Sequence, residues 1–290
     1  MANKTFFNAV AYGIVPLLMR VGIQCIAVLV NLCIIKVYGL IAAGSALTLS
    51  VKLSVLSSVA TLADEIVVLL LSIICLMPLL RDAQTPFRLH RSSFSPVRTA
   101  ASVTAATIGT KFLLVILITV TGFAERFSNN RILEIYSGIH PAVRFFAVVI
   151  VAPIVEEICY RGVMMNRLLA SVRPVVAIVV QAAIFGLMHL NLVTSFLAFI
   201  FGIASGILYL RFRELWLCVV AHMAFNITGD IVGLLPERVL NNTRLWHIII
   251  LGIGLACVGI YFLIKQPATE LLHAQSNLNA NAFDPQELVH

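Results

Sequence analysis

Charge is scarce in this 290-residue sequence: Asp, Glu, Lys and Arg together make up 11%, against 60% hydrophobic residues. Too few charges remain to build a water-soluble exterior, so a soluble fold is excluded. Intrinsic disorder, a collagen-like repeat and a secreted disulfide scaffold fail on the same composition. Paired cysteines are absent too. Cys25, Cys33, Cys75, Cys159, Cys218 and Cys257 lie in or beside apolar runs without C-x-x-C spacing, so they are expected to be small buried side chains and neither a disulfide framework nor a zinc knuckle. The sequence has no H-E-x-x-H, no fixed-period repeat, and no inverted halves of the kind that mark many transporters. No clear small-residue cleavage site follows Met1 to Asn8, so the first apolar run is expected to stay as an anchor.

What is present is hydrophobicity in long runs. A mean hydropathy of +1.01 and several stretches of about 20 apolar residues predict an all-α, polytopic transmembrane helix bundle. Eight spans are expected near Val10 to Val37, Leu62 to Leu80, Lys111 to Ala124, Ala142 to Tyr160, Val175 to Leu190, Ser195 to Leu210, Leu215 to Leu235 and Leu245 to Ile264. The second run can begin as early as Val51, and the third can reach back to Thr99. Residues 1–265 then form one integral membrane domain with a motif-bearing core at 140–230. Residues 266–290, rich in Asn, Gln and Ala, read as a flexible tail.

The net charge of +7 needs no nucleic-acid partner, because basic residues of membrane proteins collect in cytoplasmic loops and meet anionic lipid there. The segment from Arg81 to Arg98 carries Arg81, Arg88, Arg91 and Arg98 with one acid, Asp82. Placing it inside puts both termini in the cytoplasm, although Lys36, Lys52, Arg238 and Arg244 then fall outside.

An ionisable group in hydrocarbon costs roughly 2.5 to 3.5 kcal/mol on insertion scales, so the charges inside the spans are informative. The fourth run ends in Glu156-Glu157-Ile158-Cys159-Tyr160-Arg161. Residues four apart share a helical stripe and neighbours do not, so Glu157 can pair with Arg161 while Glu156 points elsewhere. An acid left in apolar surroundings beside a second acid suits a general base. Two histidines lie in later runs, each with a companion four residues away: Phe185 with His189, and His222 with Asn226. Convergence of these faces would join a base, two imidazoles and an amide. Asp64 and Glu65 are expected near the outer end of the second helix, and Asp230, one turn past Asn226, can line the same cavity or cap the helix. Arg20 and Lys111 are expected to snorkel or pair, without a chemical role.

Three ordered segments carry a resemblance: Ala152-Pro-Ile-Val-Glu156-Glu157-Ile-Cys-Tyr-Arg161-Gly162, then Phe185-Gly-Leu-Met-His189, then Leu215-Trp216 to His222-Met-Ala-Phe-Asn226. They resemble the motifs of the CPBP intramembrane proteases, the family of the type II CAAX prenyl endopeptidases and of bacterial proteins linked to bacteriocin processing and self-immunity. Tyr160 stands where Phe is common before the arginine. The resemblance implies an intramembrane endopeptidase, labelled a metalloprotease at family level, in which Glu156 activates water with help from His189. His222 and Asn226 would stabilise the oxyanion, Glu157 and Arg161 would hold the helix end, and Phe185 would pack beside His189. Membrane peptides or proteins, prenylated CAAX or bacteriocin-type, are the implied substrates, in a multi-pass cell-membrane setting.

A zinc version would use Glu156, His189 and His222 as ligands with one open position for water. A transporter or proton relay and a non-catalytic immunity or scaffold protein are the competing readings. Depth is an obstacle: at 1.5 Å per residue Glu156 and His222 lie roughly 8 to 12 Å from the cytoplasmic ends of their expected helices, and His189 roughly 20 Å. Upright helices of those lengths would keep them apart unless tilt, a later start after Arg173-Pro174, or a partly immersed loop closes the gap.

Overall fold

The computed structural model describes residues 18–19, 21–23, 25–30, 32–37, 49–82, 95–127, 139–170, 172–189, 191–233 and 244–266. Among them there is no strand. Short helical pieces within 18–37 precede α1, Leu49–Asp82, and α2, Pro96–Val120. A short helix Phe123–Phe127 follows. The rod α3 runs without a break from Pro141–Phe145 through Phe146–Val151, Ala152–Glu157 and Ile158–Met165 to Asn166–Leu169. Then come α4, Pro174–Leu187, α5, Leu192–Phe212, α6, Leu215–Gly233, and α7, Arg244–Lys265. Proline sits in the first turn of α2, α3 and α4, where its missing N–H costs nothing and its fixed φ favours the helix. Among the described residues five helices are long and apolar enough to cross a membrane, and the chain is an all-α polytopic bundle.

Three expected boundaries are corrected. The third span starts at Pro96, not Lys111, because the Ala/Thr/Ser segment 99–110 supplies the small residues that let α7 lie against α2. The fourth span does not end at Tyr160: Arg161 and Asn166 look like loop residues but are buried against neighbouring helices. Asp64 and Glu65 fall near the middle of the 34-residue α1, so they are not at a helix end. Both are half-buried and engaged in polar or ionic contacts. Most of the arginine-rich segment 81–98, Arg131, Glu134, Arg238 and the tail beyond Gln266 lie outside the described residues.

The main core joins Cys159, Tyr160 and Met164 of α3 with Phe185 of α4, Phe201 of α5, and Leu217 and Phe225 of α6. A smaller cluster, Ile23, Ala27, Val68, Val151 and Val155, fixes the N-terminal pieces and α1 on the other side of α3. Trp246, Ile250, Val258 and Ile264 of α7 face outward, as a surface does when its solvent is lipid.

Lipid tails are as apolar as leucine, so helices in a bilayer associate through close van der Waals packing over small residues. At the α2–α7 contact a Cβ on Gly259 would collide with the backbone of Ala106, and one on Gly109 with the backbone of Ala256. Gly254, on the same helix, has nothing within 4 Å. Gly259→Leu is therefore expected to destabilise the protein by about 3 kcal/mol or more or to prevent its accumulation, while Gly254→Leu is tolerated. Thermal unfolding of both variants in detergent micelles checks the contrast.

Candidate active site

The distortion of α3 begins with Pro153. Its residues Phe146–Val151 and Ile158–Met165 are π-helical, a rare form that is frequent at functional sites and where an insertion disturbs the ladder. In the π pattern the carbonyl of Val148 would accept from residue 153, and proline has no N–H to give. Asn226 supplies the donor instead, its Nδ2 lying 2.8 Å from the Val148 oxygen. That bond ties α6 to α3 one turn from His222.

Glu157 is fully buried and works as a junction. Its Oε1 accepts from Arg161 NH1 at 2.8 Å and lies 2.8 Å from His222 Nδ1, while Oε2 accepts from Ser205 Oγ at 3.2 Å. The expected Glu157–Arg161 pair is thus present. Its second partner, His222, was not foreseen: both side chains were assigned from spacing on their own helices. Because a carboxylate only accepts, His222 Nδ1 carries the proton, and Nε2 is the atom left to face the cavity. There it stands 3.7 Å from Oε2 of Glu156, within ion-pair range and long for a direct hydrogen bond. The Glu156 side chain is 14% exposed and that of His222 4%, so the first acid of the doublet is the one with access.

His189 follows the end of α4, half-buried. Its Nδ1 lies 2.8 Å from the carbonyl of Phe185, and since a carbonyl can only accept, that nitrogen donates and Nε2 of the neutral ring is a base. Phe185 links the two imidazoles, edge-on to His189 at 4.9 Å and to His222 at 5.7 Å between ring centroids. Phe201 lies against His222 at 4.7 Å, and the Arg161 guanidinium faces both Phe185 and Phe201.

The depth obstacle disappears once the helix lengths are known. Glu156 lies roughly 20 Å from the C-terminal end of α3, and His189 lies roughly 20 Å from the start of α4. With 14 residues α4 is about 21 Å long, too short to cross a hydrocarbon core of about 30 Å, so the turn bearing His189 lies within the bundle. On the other flank Asn166 of α3 bonds to the Tyr209 hydroxyl at 2.9 Å and accepts from Arg213 at 3.5 Å. Arg213 and Asn166 are therefore level. The same nine-residue interval leads from Asn166 back to Glu157 and from Arg213 on to His222, which brings the latter two together.

Gln181 and the side chain of Ser205 were missed in the sequence, whereas Gly202 lies in the stretch Phe201-Gly202 to Gly206, which also resembles the family's link between the second and third motifs. The Gly202 carbonyl accepts from Gln181 Nε2 at 2.8 Å and Arg161 NH2 at 3.4 Å. Gln181 had a legible signal, a lone amide in an apolar run at four-residue spacing from Phe185 and His189. Ser205 had none, since an isolated serine in a membrane helix usually bonds its own backbone. Asp230 is half-buried one turn past Asn226. Among the described residues no group of three His, Cys, Asp or Glu side chains converges to hold a metal ion.

Residues 138–228, which hold all of these side chains except that of Asp230, match the family described as type II CAAX prenyl endopeptidase Rce1-like. The chain is also 32% identical over 89 residues to the protein named "Putative membrane peptidase YdiL" of Bacillus subtilis (strain 168), a match covering 31% of this chain and 36% of that one. The chain thus matches about a third of the length of this curated relative. No solved structure matches it. The segment that builds the Glu156–Glu157–Arg161, His189 and His222–Asn226 cluster is thus similar to the type II CAAX prenyl endopeptidases and to a protein named a membrane peptidase.

Proposed function

We propose that this protein is an intramembrane endopeptidase that hydrolyses a peptide bond with water activated by Glu156 and His189. The observation that carries the reading is the 3.7 Å separation of Glu156 Oε2 and His222 Nε2 in a bundle interior, a spacing at which one water touches both groups. Glu156, with the Nε2 of His189 as second acceptor, takes a proton as the water oxygen bonds to the scissile carbonyl carbon. The carbonyl π electrons move onto oxygen. His222, as an imidazolium whose Nδ1 proton is held by Glu157, donates from Nε2 to that oxyanion. Asn226 has a second N–H beyond the one given to Val148 and donates it to the same atom, each fixed donor being worth about 3 to 4 kcal/mol in a water-poor site. Collapse of the intermediate breaks the C–N bond, and the proton held by Glu156 passes to the leaving amine.

The same reading has Glu157, Arg161 and Phe185 hold the orientation of the imidazoles. Its substrate is a membrane-embedded peptide or protein, with prenylated CAAX and bacteriocin-type chains as the two classes to test. Peptides released from whole membranes by the purified protein and absent with Glu156→Ala, identified by mass spectrometry, are the expected result; identical peptide sets would overturn the reading. Hydrolysis is further expected to survive o-phenanthroline at millimolar concentration unchanged, since no step uses a metal; a loss restored by added Zn²⁺ would contradict direct activation of water.

A further inference from the structure

Lys111 lies inside the candidate span Pro96–Val120 and is buried, 7% exposed. An ammonium at such a position is costly and as a rule paired with an anion or a carbonyl. Among the described residues it has neither. Its Nζ rests 3.8 Å from the centroid of the Phe225 ring, a contact that attracts a cation without neutralising it. Gly229, one turn on, leaves no side chain over the ammonium: a Cβ there would come to 3.6 Å from Cε and 3.8 Å from Nζ.

Two further facts give this position a chemical setting. Phe225 also walls a cavity of about 430 Å³ between α2, α5, α6 and α7, lined almost wholly by apolar atoms, with Val103, Ile200, Ala204 and Ile260 among its other walls. The cavity adjoins the active-site cluster, because Ser205 and Phe201 line it and also touch Glu157 and His222. His222, Phe225, Asn226 and Gly229 lie on one stripe of α6. Lys111 therefore stands over the active-site face, roughly 5 to 10 Å along the helix from His222, the reach of two or three extended residues.

We propose that Lys111 is a specificity-determining residue that binds a carboxylate of the peptide substrate, two or three residues from the bond cleaved, while the apolar side chains of that segment occupy the adjoining cavity. The peptide class rests on the endopeptidase reading. A lipid phosphate does not fit the depth, because Lys111 lies roughly 14 Å from the nearer end of α2. The carboxylate is either the chain terminus or an Asp or Glu side chain.

The test is binding, which does not depend on turnover. Full-length protein carrying Glu156→Gln is placed in lipid nanodiscs and titrated with the dansyl-labelled tetrapeptide Leu-Val-Ile-Leu as free acid and as C-terminal amide, and with Leu-Val-Ile-Asp as amide, empty nanodiscs being subtracted. The free acid is expected to bind about tenfold more tightly than the Leu amide, the worth of one charge-assisted hydrogen bond. Lys111→Met, an apolar side chain of similar length, removes that preference; Lys111→Arg keeps it. If the Asp amide binds like the free acid, any carboxylate is read; if it binds like the Leu amide, the terminus is read, and both results support the site. Equal binding of acid and amide, a preference that survives Lys111→Met, or a Lys111→Met loss equal for acid and amide would overturn it. Absence of proteolysis by the wild type alongside an intact acid preference would overturn the endopeptidase reading and leave the carboxylate site standing.

Discussion

Glu156→Gln lowers kcat for peptide hydrolysis by about 10³-fold, with the protein still folded; this is the largest functional effect expected in the molecule. General-base assistance contributes roughly 10² to 10⁴-fold, and the glutamine keeps the volume and hydrogen-bonding capacity of the side chain while losing the proton acceptor. His222→Ala is expected to cost about 10²- to 10³-fold through the lost oxyanion donor, and it also leaves the buried Glu157 with one partner fewer. Because the two groups act on one bound water and one developing oxyanion, the double variant should be scarcely slower than Glu156→Gln alone. Single-turnover rates on a substrate identified by mass spectrometry, with folding checked by thermal unfolding, decide the matter. A Glu156→Gln enzyme within about tenfold of wild type would remove Glu156 from the role of base.

Glu157 carries the largest structural effect. The carboxylate and the Arg161 guanidinium are both fully buried and 2.8 Å apart, and the acid also holds His222 and Ser205. Breaking such a pair from one side leaves an uncompensated charge and costs about 3 to 5 kcal/mol, whereas exchanging both partners for apolar residues is often near neutral. Glu157→Ala should therefore unfold at a much lower temperature than Glu157→Leu/Arg161→Met, with a large favourable coupling in the cycle. Activity separates the roles. The double variant recovers stability but not hydrolysis, because nothing then fixes the proton on His222 Nδ1. A stable and fully active double variant would show that the pair serves packing alone.

Several elements of this arrangement were legible from one chain of letters, and their physical reasons are local. Glu157 and Arg161 pair because four residues bring side chains onto one stripe, and Phe185 meets His189 by the same rule. The apolar runs from Ser195, Leu215 and Leu245 became α5, α6 and α7 within a few residues of the expected bounds. The fourth run reads as ending at Tyr160 because a charge, Arg161, follows it, whereas Arg161 and, further on, Asn166 are buried against partners on other helices. The third was begun too late because Ala, Thr and Ser carry little hydropathy, although small size is what the α2–α7 contact requires.

Composition determined that the chain lives in lipid, and spacing determined which acids, imidazoles and amides could share a helical face. These follow from transfer free energy and helical pitch, which act within one segment. That His222 bonds to Glu157 as well as facing Glu156, that Asn226 completes a carbonyl orphaned by Pro153, and that Lys111 rests on Phe225 beside a cavity was decided only by the tertiary structure. Each of these contacts joins residues on different helices, and how far one rod slides or rotates against another depends on the packing of all the side chains between them.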